Sequence, residues 1–311
     1  MKTPIAKFGE LPQRRGRHRL SMTIAPEQVP IYWQIGQSIH PCAVVTAMVH
    51  GDEFEGFVAA LDVWKWVRTV DLQGSLMILP VCNPAAAQAA TRHTPTRYDG
   101  LNLARTFPGV TGSSYTQQLA HALWNLIRDA DALIDLHSGG VGYDYARLAG
   151  YYRDTDVDLA ACFPKAFLWP VPATPGVLSY EFSRIKGKVS LGWECGGEAR
   201  LDRAGADDYA IAVKRVLARL GVVARKGGGG VGHSRPRIGR TRRQTCSTAG
   251  WFLPELTVGS RIKRGQVIGQ WIKPDLRVRE LVSRHSGIVI AVRTLPRVEP
   301  GDYLVLVGEL V

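Results

Sequence analysis

The chain has 311 residues, of which 45% are hydrophobic and 21% charged, and its formal net charge is +12. A chain of this length can bury a large core, and it predicts one large domain beside a smaller one. No apolar run approaches the about 20 residues that span a bilayer, and the N-terminus lacks an apolar signal-peptide core. We therefore expect a cytoplasmic protein without a membrane partner.

In chain order, the sequence predicts strands that alternate with helices. After an irregular or hairpin-forming lead-in, strands are expected at 31–35, 43–49, 75–81, 132–136, 166–171 and 189–193. Apolar residues that recur about every 3.6 positions predict helices over 53–67, 114–129 and 207–220, the last capped by Asp207. This alternation predicts an α/β fold with a mixed, mostly parallel central sheet and helices on both faces. Residues 85–111 lack both periodicities, and loops this long are usually functional.

The composition changes after residue 224. Residues 225–243 are rich in glycine and arginine and predict a linker. Short alternating segments follow without a helical pattern, at 250–252, 266–271, 287–292 and 303–307. We therefore divide the chain into an α/β domain (1–224), a linker (225–243) and a small all-β, barrel-like domain (244–311).

The positive charge is concentrated in two stretches. Four arginines lie between positions 14 and 19, and seven lysines and arginines lie between 225 and 243. The second stretch has no interleaved aromatic residues on which bases could stack. We interpret both as solvated chain and expect no nucleic-acid partner.

Residues 43–56 predict a buried strand that ends at a histidine and a glutamate. Seven small or apolar residues precede His50, and Glu53 stands at the start of the predicted helix. At this spacing an imidazole nitrogen and a carboxylate oxygen can share a divalent metal. Two-residue motifs recur by chance, so a surface loop explains these two residues equally well.

Two further strand ends carry side chains suited to the same chemistry. His137 ends the strand 132–136, and Asp135 lies on the same face of that strand, where it could support a metal-ligating histidine. Glu194 closes the strand 189–193, and beside a metal a buried carboxylate can act as general base. Taken alone, His137 is typical of a core histidine and Glu194 of a turn. In open α/β sheets, ligands bind at the carboxyl ends of the strands.

Within the long loop, the segment 97–109 carries two arginines, Arg97 and Arg105, eight positions apart. Arginine can grip a carboxylate with two parallel hydrogen bonds, and it can also stabilise an oxyanion. Asn102 lies between them and could orient Arg105 or line the pocket.

Five blocks in this order resemble the succinylglutamate desuccinylase/aspartoacylase family, a deacylase branch of the zinc carboxypeptidase superfamily. The blocks are HGDE (50–53), NP (83–84), RYDGLNLARTFPG (97–109), DLHSG (135–139) and ECGG (194–197). The motifs cover about residues 40–200, and the β-rich tail is similar to the C-terminal barrel-like domain of that family. The resemblance implies a zinc-carboxypeptidase-like fold and one Zn²⁺ per chain.

The resemblance also implies a role for each site residue. His50, Glu53 and His137 would bind the zinc, and Glu194 would be the general base and later the proton donor. By spacing, Arg97 would polarise the scissile carbonyl and Arg105 would bind a substrate carboxylate.

One position departs from the family pattern. The family loop usually reads D-L-N-R, whereas this chain has Ala104 where the asparagine normally shares the carboxylate with the arginine. Either the carboxylate is held differently, or the substrate differs from those of the best-known members.

The expected activity is hydrolysis of the amide bond of a small anionic N-acyl amino acid. Two alternatives stay open: a zinc peptidase that acts on short or cell-wall-type peptides, and a non-catalytic binding protein that retains the pocket. The complete set of His50, Glu53, His137 and Glu194 argues against the last. The sequence leaves open the acyl group, the amino acid, a homo-oligomeric state and whether the β domain caps the site.

Overall fold

The computed structural model describes residues 7–224 and 235–311. The strands are β1 (Gly16–Ile24), β2 (Glu27–Ile35), β3 (Cys42–Thr46), β4 (Ser75–Leu79), β5 (Ala132–His137), β6 (Tyr143–Tyr151), β7 (Phe167–Pro170), β8 (Val189–Gly197), β9 (Ile238–Thr245), β10 (Gly250–Pro254), β11 (Arg261–Ile262), β12 (Val267–Ile272), β13 (Val278–Val282), β14 (Gly287–Arg293), β15 (Arg297–Val298) and β16 (Tyr303–Leu310). The α-helices are α1 (Glu55–Trp66), α2 (Pro84–Ala89), α3 (Tyr115–Ile127), α4 (Val157–Ala160), α5 (Leu178–Ser183) and α6 (Arg203–Arg219). No helix in the described ranges is long and apolar enough to cross a membrane.

One large mixed sheet connects most of these strands. Its order is β1-β2-β4-β3-β5-β8-β6-β14-β16-β9, with β7 paired to β6 and β11 to β14. The four central strands β4, β3, β5 and β8 are parallel to their neighbours within this group. The strands β2 and β6 join this group antiparallel. The predicted mixed α/β fold is confirmed, and its parallel part is concentrated at the centre.

Strand β3 is buried on both faces, which explains its continuous apolar sequence. Ala43 and Val45 pack in one core cluster with residues of α1 and α6. Cys42 and Val44 pack in the cluster that includes residues of α3. Helices therefore cover both faces of the sheet, as expected, and His50 follows a strand that is buried at every position.

Several elements differ from the expected pattern, and three of them bear on the site or on a predicted cap. Strand β6 was not expected, because its alternation is interrupted by a register shift between Tyr145 and Leu148. Helix α2 lies inside the segment predicted as a loop. Helix α6 begins earlier than expected, with Asp202 as its N-cap, where the side chain accepts a hydrogen bond from Gly205 N. The predicted cap Asp207 instead lies within the helix and pairs with Arg203, four positions before it.

Every regular element of the described residues 235–311 is a β-strand. Part of the predicted linker, residues 225–234, lies outside the described residues. Residues 238–243 belong to strand β9, which pairs with β16 and is not a linker. The Gly/Arg-rich sequence of this segment lacks the alternation of apolar and polar residues that predicts a strand, because an edge strand tolerates charged side chains. Strand β14 pairs with β6 and so joins these C-terminal strands to the main sheet.

Candidate metal and substrate site

The predicted metal-binding residues meet at one edge of the central sheet. His50 and Glu53 lie in the loop between β3 and α1, and His137 is the last residue of β5. Glu194, in the neighbouring strand β8, is paired in register with His137. The parallel order of these strands therefore brings together groups that are more than a hundred positions apart in the chain.

The carboxylate of Glu53 lies between two imidazoles. Its Oε1 is 2.7 Å from Nδ1 of His50, and its Oε2 is 3.0 Å from Nδ1 of His137. One donor atom from each of the three residues lies within 4.8 Å of the others, and all three residues are buried. Two imidazole nitrogens and one carboxylate oxygen form a donor set typical of catalytic zinc, which leaves further coordination positions open.

The far side of each ring is also held by an oxygen. Nε2 of His137 is 3.1 Å from Oδ2 of Asp135, whose Oδ1 accepts a hydrogen bond of 2.6 Å from Thr46. Nε2 of His50 is 3.2 Å from Oδ1 of Asn102. An imidazole that donates from Nε2 to such an oxygen presents a bare Nδ1 toward the centre. For His50 the contact with Asn102 supports this orientation, and His137 lies within ion-pair distance of Asp135.

The charges of this group also suit a cation. Burial lowers the pKa of His50, which favours its neutral, ligating form. Burial also opposes a charge on His137, but the carboxylates of Asp135 and Glu53 raise its pKa well above the usual range. Burial would raise the pKa of Glu53, yet the two histidines lower it well below the usual value. The carboxylates thus favour a positive charge among them, and a divalent cation would supply it in place of a proton.

Glu194 has the electrostatic properties of a proton carrier. Burial raises the pKa of its carboxyl to about 8, and the negative charge of Glu53 contributes, while His137 and Arg92 act in the opposite direction. Glu194 therefore lies close enough to the triad and to Arg92 for their charges to affect its pKa. A carboxyl whose pKa lies near neutrality can both accept and return a proton under physiological conditions.

Arg92 contacts the triad directly, although no sequence pattern indicated this residue. Its NH1 is 3.0 Å from Oε1 of Glu53. The backbone positions this segment, because Gly51 N donates to the carbonyl of Thr91 over 2.9 Å. Asn83 caps α2 and donates from Nδ2 to Thr94, which anchors the other side of the segment. Arg92 is the first arginine after α2. Its position relative to this helix is the signal that could have indicated it, but the helix itself was not expected.

Arg97 lies elsewhere, contrary to the expectation that it reaches the triad. Its side chain is exposed, and its guanidinium carbon is 5.2 Å from the ring centroid of Tyr98. The hydroxyl of Tyr98 bonds to Glu27 at the start of β2. Within the described residues, Arg92 and not Arg97 contacts the metal-binding triad.

Asn102 and Arg105 lie on either end of a short 3-10 turn. Oδ1 of Asn102 accepts a hydrogen bond from Ala104 N over 2.9 Å and also faces His50, so this residue contacts the metal site directly. The partly exposed Arg105 donates from NH1 to the carbonyl of Ala104. Burial lowers the pKa of Arg105, and the charges of Arg92 and Arg243 add to this effect.

The C-terminal strands also reach this region. The hydroxyls of Tyr145 on β6 and Tyr303 on β16 lie 2.5 Å apart, and Tyr303 stacks on Tyr143. Arg243 on β9 lies over the ring of Tyr303. Arg243 falls in the segment that the sequence predicts as a linker.

Comparison with known proteins shows which proteins the chain resembles. Residues 40–220 match the model of the succinylglutamate desuccinylase/aspartoacylase catalytic domain. Over 119 residues the chain is 40% identical to the N-alpha-acetyl-L-2,4-diaminobutyric acid deacetylase of Halomonas elongata. That match spans 38% of this chain and 34% of the deacetylase, about a third of the length of each.

Solved structures extend the likeness to nearly the whole chain. A succinylglutamate desuccinylase/aspartoacylase from Rhodobacter sphaeroides is 28% identical, with a TM-score of 0.81 over 96% of both chains. A succinylglutamate desuccinylase from Silicibacter sp. TM1040 is 24% identical, with a TM-score of 0.80 over 97% of both chains, and this likeness shows the fold. The C-terminal β-strands are thus part of the shared architecture.

Proposed function

Because the chain belongs to the succinylglutamate desuccinylase/aspartoacylase family, we propose that it is a metal-dependent amidohydrolase that removes the acyl group from a small, anionic N-acyl amino acid. The observation that carries this proposal is the buried triad of His50, Glu53 and His137, with Glu194 in register beside it. The partial match to a deacetylase of an N-acetylated amino acid supports the same substrate class.

The proposed cofactor is one Zn²⁺ per chain, held by His50, Glu53 and His137. Asp135 and Asn102 would hold the two imidazoles in their ligating orientation. When bound, zinc supplies a Lewis acid for the scissile carbonyl and lowers the pKa of water to about 7.

Each remaining step belongs to a side chain of the protein. Glu194 accepts the proton of the attacking water and later returns it to the leaving amine, as its pKa near neutrality allows. Arg92, and not Arg97, donates to the carbonyl oxygen as negative charge develops on it, because it is the arginine adjacent to the triad. Arg105 binds the substrate carboxylate and thereby aligns the amide with Glu194.

A substrate panel tests this proposal. Purified protein supplied with Zn²⁺ would be assayed on N-acetyl and N-succinyl amino acids, and in parallel on short peptides with free carboxyl termini. We expect amine release from one or more N-acyl amino acids at least ten times faster than from the peptides. Faster cleavage of the peptides would replace the deacylase proposal with the peptidase alternative, and turnover of neither class would reject both.

A further inference from the structure

A cavity in the C-terminal part of the chain is lined mainly by cationic side chains. It has a volume of about 540 Å³, and no apolar side chain of the described residues lines it. Its walls come from β9, from the turn between β11 and β12, from the connection between β13 and β14, and from β16. The lining residues are Arg242, Arg264, Arg284, His285, Ser286 and Glu309. Three arginines against one glutamate leave two positive charges in excess when the histidine is neutral.

Buried polar side chains hold one wall of this cavity in place. Gln244 on β9, with 3% of its surface exposed, donates to the carbonyl of Val282 over 3.0 Å and accepts from Arg284 N over 2.9 Å. Ser283 is equally buried, and its hydroxyl donates to the carbonyl of His285 over 2.7 Å. The connection between β13 and β14 is therefore fixed against β9.

The turn between β11 and β12 is fastened to the same connection. The backbone N–H of Arg264 donates to Oγ of Ser286 over 2.9 Å, and that of Gly265 donates to the carbonyl of Ser283 over 2.8 Å. The segments that carry the three arginines thus form one frame before any ligand binds. A frame that is arranged in advance reduces the entropy that is lost on binding.

The guanidinium groups of this frame have donors to spare. Arg242 donates from Nε to Glu309 over 2.8 Å, and its terminal nitrogens make no hydrogen bond within the described ranges. The guanidinium groups of Arg264 and Arg284 have no hydrogen-bond or ion-pair partner among the same residues, since both arginines are held through their backbone N–H. The pKa of His285 is lowered first by burial and then by the charges of the three arginines. An anion in the cavity would relieve this repulsion among like charges.

The cavity lies on the other face of β9 from the tyrosine cluster near the metal site. Side chains at successive positions of a strand face opposite sides. Arg243 lies over the ring of Tyr303, whereas Arg242 and Gln244, on either side of it, bond to Glu309 and to β13. None of the residues that line the cavity belongs to the metal-binding triad. A ligand in this cavity would therefore occupy a second site.

We propose that this cavity binds the phosphate group of a small soluble anion, separately from the metal site. A phosphate group carries nearly two negative charges at neutral pH and three strong acceptor oxygens, which matches the excess charge and the donors of the lining. Arginine binds phosphate oxygens with pairs of parallel hydrogen bonds, and the three guanidinium groups can share them. A carboxylate, with one charge and two oxygens, would leave part of the lining unsatisfied. This inference concerns binding alone and does not depend on the proposed function.

Calorimetric titration with inorganic phosphate tests the site. The full chain would be titrated in a chloride buffer of low ionic strength, as wild type and as the exposed-residue variants Arg264→Gln and Arg284→Gln. We expect each variant to raise Kd about 10- to 100-fold, since a hydrogen bond to a charged group is lost. Phosphate that binds at the metal site would be retained by both variants, so the lost binding identifies the cavity. Equal Kd values in all three proteins would reject the proposal.

Arg279→Gln is the matched control, because it removes the same charge from β13 without touching the cavity. Arg279 is exposed and does not line the cavity. Its substitution should leave Kd for phosphate within about twofold of the wild type, as is usual for an exposed charge away from a ligand. The melting temperatures of all variants should match, which separates lost binding from lost folding. An Arg279→Gln variant that weakens binding as much as Arg284→Gln would reduce the effect to net charge and overturn the site.

Two further titrations define the ligand class. Acetate should bind at least about tenfold more weakly than phosphate, because it offers one charge and two oxygens. Equal affinities would reject the assignment to phosphate. Phosphatidylcholine vesicles that contain about one-fifth phosphatidic acid present a phosphate group on a membrane surface. Since no apolar side chain lines the cavity, they should sediment the wild type and Arg284→Gln equally. Sedimentation that Arg284→Gln loses, without binding of free phosphate, would overturn the assignment to a soluble anion.

Discussion

The site combines two regions that are built differently. The chemical centre consists of His50, Glu53, His137 and Glu194. The first two follow β3, His137 ends β5, and Glu194 is its register partner on β8. The triad is buried, and its atoms are fixed by short contacts among themselves. The arginine rim consists of Arg92 and Arg105, both in the connection between α2 and α3, and of Arg243 on β9, and all three are exposed.

The two regions differ because different parts of the fold position their side chains. Strand register fixes the centre: Thr46 and Asp135 are register partners on β3 and β5, and their side chains form a hydrogen bond of 2.6 Å. Loop conformation and the docking of the C-terminal strands fix the rim. A substitution in the rim can therefore change which carboxylate is bound without altering the metal ligands. This separation suits a family in which one chemistry serves several substrates.

The largest effect is expected where the centre itself is broken. His50→Ala should remove the metal as well as the activity, because it takes away one of three protein ligands and leaves Glu53 with a single histidine. Zinc content by plasma mass spectrometry should fall from about one equivalent per chain to a small fraction of it. Full zinc occupancy in this variant would exclude His50 from the ligand set.

Glu194→Gln should separate metal binding from catalysis. The amide keeps the shape of the side chain but accepts no proton, so zinc content should stay near that of the wild type. We expect kcat to fall by about 10²- to 10⁴-fold, the usual contribution of a general base. The measurement is kcat at saturating substrate beside the zinc content, and a variant with wild-type kcat would assign the proton transfer to another group.

Arg92 and Arg97, two arginines of the long loop, give a matched pair of variants that tests the rim. Arg92→Gln should lower kcat by about 10²- to 10³-fold, as is typical when an oxyanion donor is lost. Arg97→Gln should leave kcat and KM unchanged, because this side chain is exposed and lies against Tyr98. Steady-state kinetics of the two variants on one substrate decide between them, and the reverse result would return the carbonyl contact to Arg97.

The residues of the chemical centre could be predicted because an apolar strand, and the polar residue that follows it, can be recognised in a sequence. His50 follows β3 and His137 ends β5, as their apolar runs predict, whereas β8 continues past Glu194 to Gly197. In a parallel sheet these ends lie together, so their proximity follows from the order of the elements.

The rim could not be inferred in the same way. The eight-residue spacing of Arg97 and Arg105 does not determine which side of the loop each faces. Arg92 meets Glu53 because Gly51 and Thr91 share a backbone hydrogen bond between distant segments, which no local pattern encodes. Arg243 lies on the edge strand of the sheet, where charged residues obscure the alternation of buried positions. Contacts that depend on tertiary docking leave little trace in local sequence.

A smaller effect is expected from Asp99, which ties the arginine loop to α3. Its carboxylate accepts hydrogen bonds from the backbone N–H of Thr116 over 2.7 Å and from the Thr116 hydroxyl over 2.6 Å, so it acts as a cap supplied by another segment. Asp99→Ala should lower the free energy of unfolding by about 1 to 2 kcal/mol, the usual cost of a lost N-terminal cap. Urea denaturation checks this value, with Asp129→Ala, near the other end of α3, as the control.

The pH dependence of the same contact sharpens the test. Burial opposes the charge on Asp99, but the hydrogen bonds from Thr116 hold its pKa below the usual value. A carboxyl with a lowered pKa contributes stability above its unfolded-state pKa and loses that contribution as the pH falls through the folded-state pKa. The difference in unfolding free energy between wild type and Asp99→Ala should therefore be largest near pH 7 and shrink below about pH 4. A difference that stays constant down to pH 3 would show that Asp99 acts through packing alone, and the arginine loop would then be held to α3 without a charged cap.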